Sequence, residues 1–395
     1  YQRRSVQTSS TNKPFFMSSL PPLSLYIHVP WCVRKCPYCD FNSHTSPQSL
    51  PEDEYIAALL LDIDQDLAWL QGRAIHSVFI GGGTPSLLSP QAYQQLFSQL
   101  KQKMTFEANC EITLEANPAT VEHGSFEGYL ATGINRLSLG IQSFNGLQLK
   151  NLGRIHGQSE AEKAILLAKA AGFTNFNLDL MHGLPNQTLD DALLDINIAL
   201  SFNPPHLSWY QLTIEPNTAF YRQPPVLPDD DTLWAIQEAG QQKLAQAGLL
   251  QYEVSAYTHN KPSQHNLNYW QFGDYLAIGA GAHGKVTTPE GIFRYRKTRL
   301  PKDYLAAAPQ QQTRLGLEKV SDDDLSFEFM MNGLRLKQGV PIAYFEQRTG
   351  LSWPLLEAQL APALAKNWLS LKNNHIKCTE LGFNYLNDVL SLFLR

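Results

Sequence analysis

Six short apolar runs, each followed by a longer stretch whose apolar residues recur three and four positions apart, restrict what this chain can fold into more than any other feature. The runs cover residues 23–29, 77–80, 111–114, 136–141, 175–180 and 206–212. Their length and apolar density read as buried strands. The stretches between them, 53–70, 90–104, 121–131, 159–171 and 189–200, have the spacing of helices with one apolar face. Apolar strands that alternate with helices predict a parallel sheet, and six such units predict an α/β fold with a partial (β/α)6 barrel rather than a sandwich. In barrels of this kind functional residues gather at the carboxyl ends of the strands. Cys32 follows the first run, Gly81-Gly82-Gly83-Thr84 the second, Glu115 the third, Gln142 the fourth, and Asp179 ends the fifth.

Beyond the sixth run, a proline-rich stretch at 223–228 leads into a helical segment at 231–247 and a region dense in Tyr, Trp and Gly through Lys285. From Ser321 the character changes, and 327–336, 342–349, 353–365 and 381–394 read as helices. A chain of 395 residues exceeds the roughly 250–300 at which a single core stops growing. The expected division is a disordered extension or leader at 1–22, an α/β core with an aromatic- and Gly-rich extension at 23–300, and a small, mostly helical C-terminal domain at 301–395. Met17 is a candidate start, although Arg3, Arg4 and Lys13 without any acid also suit a transit peptide.

Lys and Arg total 31 against 36 Asp and Glu, so no overall basic field draws the chain to nucleic acid. No apolar stretch approaches the roughly 20 residues of a spanning helix. A cytoplasmic protein without a transmembrane segment is expected.

The five cysteines are an odd count, and three of them crowd into eight positions, unlike a disulfide framework. Cys110 and Cys378 stand far apart and are expected to be small buried thiols. Cys32-Val33-Arg34-Lys35-Cys36-Pro37-Tyr38-Cys39 forms a C-x3-C-x2-C loop at the end of a strand. Three thiolates hold three irons of a [4Fe-4S] cubane and leave the fourth open to an outside ligand. Arg34 and Lys35 are expected to lower the thiol pKa values. Zinc is the alternative, but structural zinc usually wants four ligands in paired spacing. Gly81-Gly82-Gly83-Thr84-Pro85 suits a loop that offers backbone amides to a small zwitterion.

The cysteine loop, with Tyr26 before it and the triple glycine after the second strand, resembles the radical S-adenosylmethionine (SAM) superfamily. That resemblance implies a cluster whose open iron is chelated by SAM. A closer likeness runs from Pro22 through nearly the whole chain. It is carried by Ser24-Leu25-Tyr26-Ile27-His28-Val29-Pro30-Trp31-Cys32 and by Cys39-Asp40-Phe41-Asn42-Ser43-His44, and it is to the coproporphyrinogen III oxidase-like branch, within it the HemW-type heme chaperones. The family's SAM contacts map onto Tyr26, Gly82, Gly83, Thr84, Glu115, Gln142, Arg154 and Asp179. Arg154 suits a carboxylate, while Glu115, Gln142 and Asp179 offer acceptors to amino and ribose groups.

Oxygen-independent coproporphyrinogen III oxidases carry a fourth cysteine two positions after the third and a longer amino-terminal substrate segment. Here that position is Phe41, and 31 residues precede Cys32. Both departures favour the chaperone group, whose members bind heme and deliver it to apoproteins such as respiratory cytochromes. An oxidase, or another radical SAM enzyme acting on a tetrapyrrole, is the alternative reading. A homodimer stays open as an assembly.

His265-Asn266-Leu267-Asn268-Tyr269-Trp270 resembles the HNxxYW motif tied to heme handling in HemW proteins, which makes His265 a heme-ligand candidate. The competing reading is a loop whose His and Asn satisfy backbone groups while both aromatics join the core. Ile278-Gly279-Ala280-Gly281-Ala282-His283-Gly284 contains G-x-G-x-x-G, but no βαβ unit surrounds it, so a tight glycine turn near the cofactor is expected instead of a dinucleotide site. His283 ranks second as a heme ligand.

Overall fold

The computed structural model describes residues 19–123 and 126–394; residues 1–18 of the expected leader lie outside them. The six runs form the parallel strands β1 (Leu23–Val29), β2 (Ile75–Gly82), β3 (Phe106–Ala116), β4 (Arg136–Gln142), β5 (Phe176–His182) and β6 (His206–Gln211). Leu23, Leu25, Ile27 and Val29 are fully buried on β1, and Ser24 on its other face is too. Such two-sided burial is what covering helices impose on a parallel sheet.

The crossovers are α1 (Glu52–Asp64), α2 (Pro90–Lys103), α3 (Phe126–Ala131), α4 (Gly146–Asn151), α5 (Gln158–Ala170) and α6 (Leu189–Ser201). The Ser89 side chain caps α2 by accepting from the Ala92 amide, Pro90 opens the helix, and Lys101 and Lys103 sit in its last turn. These are the residues that helix ends favour.

Several boundaries differ from expectation for tertiary reasons. The helix expected over 53–70 stops at Asp64 and resumes as a 3-10 turn at Leu67–Leu70. Asp62 and Asp66 turn inward there, each 2.7 Å from buried Lys297. The helix expected over 121–131 is α3 preceded by a 3-10 turn at Pro118–His123.

The sheet also continues well beyond the six strands. At the β6 end, β7 (Leu250–Glu253) and β8 (Ala256–Thr258) follow α7 (Asp230–Gln246) and add antiparallel strands. At the β1 edge, β9 (Asp274–Ile278) pairs parallel to β1. It then carries an antiparallel wing of β10 (His283–Thr288), β11 (Gly291–Lys297) and β12 (Arg314–Lys319). The resulting order is β12-β11-β10-β9-β1-β2-β3-β4-β5-β6-β8-β7. The wing was hidden because polar Asp274, Lys285, Thr287 and Lys297 interrupt its buried apolar positions: Asp274 accepts from Arg73 at 2.7 Å and from the Thr287 hydroxyl at 2.8 Å, with Lys285 at 3.4 Å.

One core runs from Leu23 to Ala308 along the sheet and its helices, and a second gathers Phe272, Ile292 and apolar residues from Val320 to Phe393. The C-terminal part is helical as expected, beginning with α8 (Asp322–Gly333), but also holds a three-stranded sheet of Val340–Pro341, His375–Cys378 and Leu369–Lys372. The last expected helix, 381–394, breaks at Tyr385 into Glu380–Asn384 and Leu386–Ser391. Cys110 and Cys378 are buried free thiols. Among the described residues, no helix is long and apolar enough to cross a membrane.

Candidate functional site

Parallel register brings the carboxyl ends of β1 to β6 to one rim, and a cavity of about 480 Å³ opens there. Cys32, Cys36 and Cys39 line one wall of it. Their loop is closed at the neck by a short parallel pairing of Trp31–Cys32 with His44–Thr45. The Lys35 ammonium bridges the loop, donating to the Phe41 carbonyl at 3.1 Å. Pro37 presses on Gly153, whose φ of +67° and whose missing Cβ, which would lie 2.7 Å from Pro37 Cδ, make glycine necessary. Tyr38 packs on a small cluster of Leu152, Met181, Leu184 and Leu212.

The thiols correct one expectation. Burial pushes Cys32 and Cys39 up, and Lys35 offsets only part of that at Cys39. Partial burial outweighs the loop's cations because a thiolate loses its hydration there.

The glycine loop corrects a second. The Gly82 amide donates to Glu115 Oε2 at 3.1 Å, Gly83 to the Val29 carbonyl at 2.7 Å, and Thr84 to the Trp31 carbonyl at 2.7 Å. These amides hold the protein together rather than facing a ligand. Glycine is required by close approach: a Cβ on Gly82, at φ +116°, would lie 2.5 Å from the His28 ring, and one on Gly83 would lie 2.5 Å from the Trp31 carbonyl oxygen.

Gly82, Gly83, Thr84, Glu115, Gln142, Arg154 and Asp179 all line the same cavity as the cysteines. Burial, reinforced by the Asp179 carboxylate, pushes Glu115 up to about 8. Asp179 is also pushed up by burial, while hydrogen bonds from Ser138 at 2.8 Å and Asn177 at 2.7 Å oppose the shift. Gln142, in left-handed backbone at φ +71°, accepts from the Tyr210 hydroxyl at 2.8 Å. Arg154 donates to the Gly140 carbonyl at 2.6 Å and lies 3.8 Å from Cys36 Sγ, while its Nε is buried without a partner.

Tyr26 stands apart from these residues. Its hydroxyl is 2.9 Å from His28 Nδ1, and its ring faces a second cavity that shares Gly82, Glu115, Asp40 and Phe41 with the first.

The far wall comes from outside the barrel. Glu253, Ser255, Asn266, Trp270 and Arg335 complete the lining, with the Arg335 guanidinium 4.2 Å over the Trp270 ring and 3.3 Å from Glu253. Sequence reasoning missed Glu253 and Arg335, which carry no local pattern, and Tyr210, which the strand-end rule applied to the sixth run would have found.

His265 does not line either cavity. Residues 264–270 form a helix, not a loop, with Ser263 as its side-chain cap. His265 is 1% exposed; its Nε2 is 2.8 Å from the Tyr269 hydroxyl and its Nδ1 3.1 Å from Ser77 Oγ. Burial pushes this imidazole down to about 3, so it is neutral. The glycine turn joins β9 to β10 and serves the cysteine loop, as Asn42 Nδ2 donates to the Ala280 carbonyl at 2.9 Å. No helix begins there.

The residues present suit a cluster with SAM. Two buried carboxyl groups and a guanidinium with an unpaired N–H face one cavity, a complement to a zwitterion's ammonium and carboxylate. Three thiols share its wall. Among the described residues no three His, Cys, Asp or Glu side chains converge on a single ion; a cubane with one iron per thiolate spreads its cysteines more widely.

The radical SAM superfamily model matches residues 26–197, and the HemN C-terminal domain model matches 320–384. The chain is 53% identical to heme chaperone HemW of Haemophilus influenzae, covering 96% of this chain and 99% of that protein. It is 52% identical to heme chaperone HemW of Escherichia coli K12, covering 96% and 100% respectively. The solved structure of coproporphyrinogen III oxidase HemN from E. coli, a radical SAM enzyme, superposes with a TM-score of 0.78 over 95% of this chain and 90% of that one, at 23% identity, a likeness of fold. On the strength of full-length identity above one half, the chain belongs to the HemW family of the radical SAM superfamily.

Proposed function

We propose that this protein is a heme chaperone that holds a [4Fe-4S] cluster on Cys32, Cys36 and Cys39, binds SAM in the adjoining cavity, and delivers heme to apoproteins such as respiratory cytochromes. The observation that carries the reading is the union, in one cavity, of three thiols, two buried carboxyls and a part-unpaired guanidinium. Full-length identity to proteins named heme chaperones supports the cargo.

The roles follow from position. Arg154, beside Cys36, offsets thiolate charge and offers Nε–H to a carboxylate. Glu115, Asp179 and Gln142 supply acceptors for ammonium and ribose groups. Thr84 lies at the Cys32 end of the cavity. Gly82 and Gly83 let β1 and its loop pack closely against that end, since any side chain there would collide with His28 and the Trp31 backbone. Tyr26 acts one layer behind, fixing His28 under Gly82. When bound, the reduced cluster supplies an electron to the SAM sulfonium.

Anaerobically reconstituted protein tests the reading. It is expected to contain iron and sulfide, to change its electron paramagnetic resonance signal when SAM is added, to take up heme stoichiometrically, and to leave coproporphyrinogen III unaltered. Zinc alone, or robust protoporphyrinogen formation, would refute it.

A further inference from the structure

The second cavity, about 900 Å³, is lined by none of the three cysteines and meets the first along Asp40, Phe41, Gly82 and Glu115. It falls in the range of roughly 300–1,000 Å³ typical of small-molecule and cofactor sites. It lies between the cysteine loop, the start of the sheet and the β10–β11 wing. Its floor is aromatic: Tyr26 and Phe79 stack at 6.5 Å with 20° between their planes, and Tyr269 joins them. Phe41, 56% exposed, stands at its rim. The opposite side is cationic and carries an imidazole. His283 pairs directly across the strands with Arg296, so both project to the same face, and both are exposed. Arg299, also exposed, adds a second guanidinium, held by its Nε on Asn42 Oδ1 at 3.2 Å.

An aromatic face opposed by two guanidinium groups and an imidazole complements a flat apolar macrocycle that bears carboxylates on one edge and a metal at its centre. We propose that the cargo heme seats in this cavity, with its face on Tyr26, Phe79 and Tyr269, its propionates on Arg296 and Arg299, and its iron on His283. The inference rests on the heme-chaperone reading and says where that cargo binds. Ligation forms one Fe–N bond in place of a solvent ligand and transfers no electron.

His265 takes a different part in this arrangement. It lies beneath the floor, 5.3 Å from the Phe79 ring and bonded to the Tyr269 hydroxyl, so the HNxxYW segment positions the aromatic surface while His283 meets the iron. Because Asp40, Phe41, Gly82 and Glu115 line both cavities, heme there would abut the SAM wall.

Hemin titration of the reconstituted full chain, with the cluster oxidised and silent in electron paramagnetic resonance, tests the seat. His283→Ala is expected to bind hemin about tenfold more weakly and to lose the nitrogen-ligated ferric signal, which added imidazole restores, with cluster content unchanged. Arg296→Ala combined with Arg299→Ala is expected to weaken binding about tenfold while the ligation signal persists. If His283→Ala keeps the parent affinity and spectrum, or if only His265→Ala abolishes the ligation signal, the seat is wrong while the chaperone reading stands. Failure of the parent chain to bind hemin at all would overturn that reading itself.

Discussion

Cys36 and Glu115 show how much of this site depends on single side chains. Cys36→Ala removes one of three anchors for a cubane, and iron content with the visible absorbance of the reconstituted protein is expected to fall to near background. Glu115→Gln tests the buried carboxyl differently. With a folded pKa of about 8 against an ordinary 4.5, Glu115 keeps its proton in the folded protein while the unfolded chain has released it. In that window the native state binds more protons, so stability declines as pH rises from about 5 to 8. The Gln variant is expected to flatten this slope in urea denaturation of the SAM-free protein. It should also weaken SAM binding by about tenfold, because the ammonium of SAM would draw off the Glu115 proton and pair with a carboxylate that the amide cannot supply. Glu115 was visible in the sequence through its place at a strand end; its raised pKa was not, since it arises from burial and from Asp179, two strands along the sheet.

At the scale of elements, the cysteine loop is held less by its own residues than by two glycines that dock it. A Cβ on Gly281, at φ +80°, would lie 2.1 Å from Asn42 Nδ2, and one on Gly153 would press into Pro37. Gly281→Ala is expected to cost about 1–3 kcal/mol through strained backbone and lost docking. Thermal denaturation together with cluster loading measures it, and a stable variant with full iron content would show that the turn does not brace the loop. The G-x-G-x-x-G string was legible as a tight turn because no βαβ unit flanked it. Its partner was not, as Asn42 is more than two hundred residues away.

Across the whole molecule, the C-terminal part closes the cavity through one residue. Arg335 stacks on Trp270, bonds Glu253, and lies beside a backbone bridge between Glu253 and Leu336. Arg335→Ala is expected to cost about 1 kcal/mol, given its partial exposure, and to speed proteolysis of the connection between the two cores. Limited digestion with and without SAM reads this, and unchanged cleavage would remove Arg335 as the latch. The sequence by itself determined the six parallel strands, the rim at their carboxyl ends and the residues Cys32, Gly82, Glu115, Gln142 and Asp179 that stand there, because period and strand-end position are local properties of the chain. Tertiary structure alone decided the antiparallel wing, the far wall of Glu253 and Arg335, the burial of His265 and the second cavity. The far wall, the burial of His265 and the second cavity are made by segments distant in sequence, and the polar residues of the wing are buried only against the distant Asp62, Asp66 and Arg73, which no local pattern records.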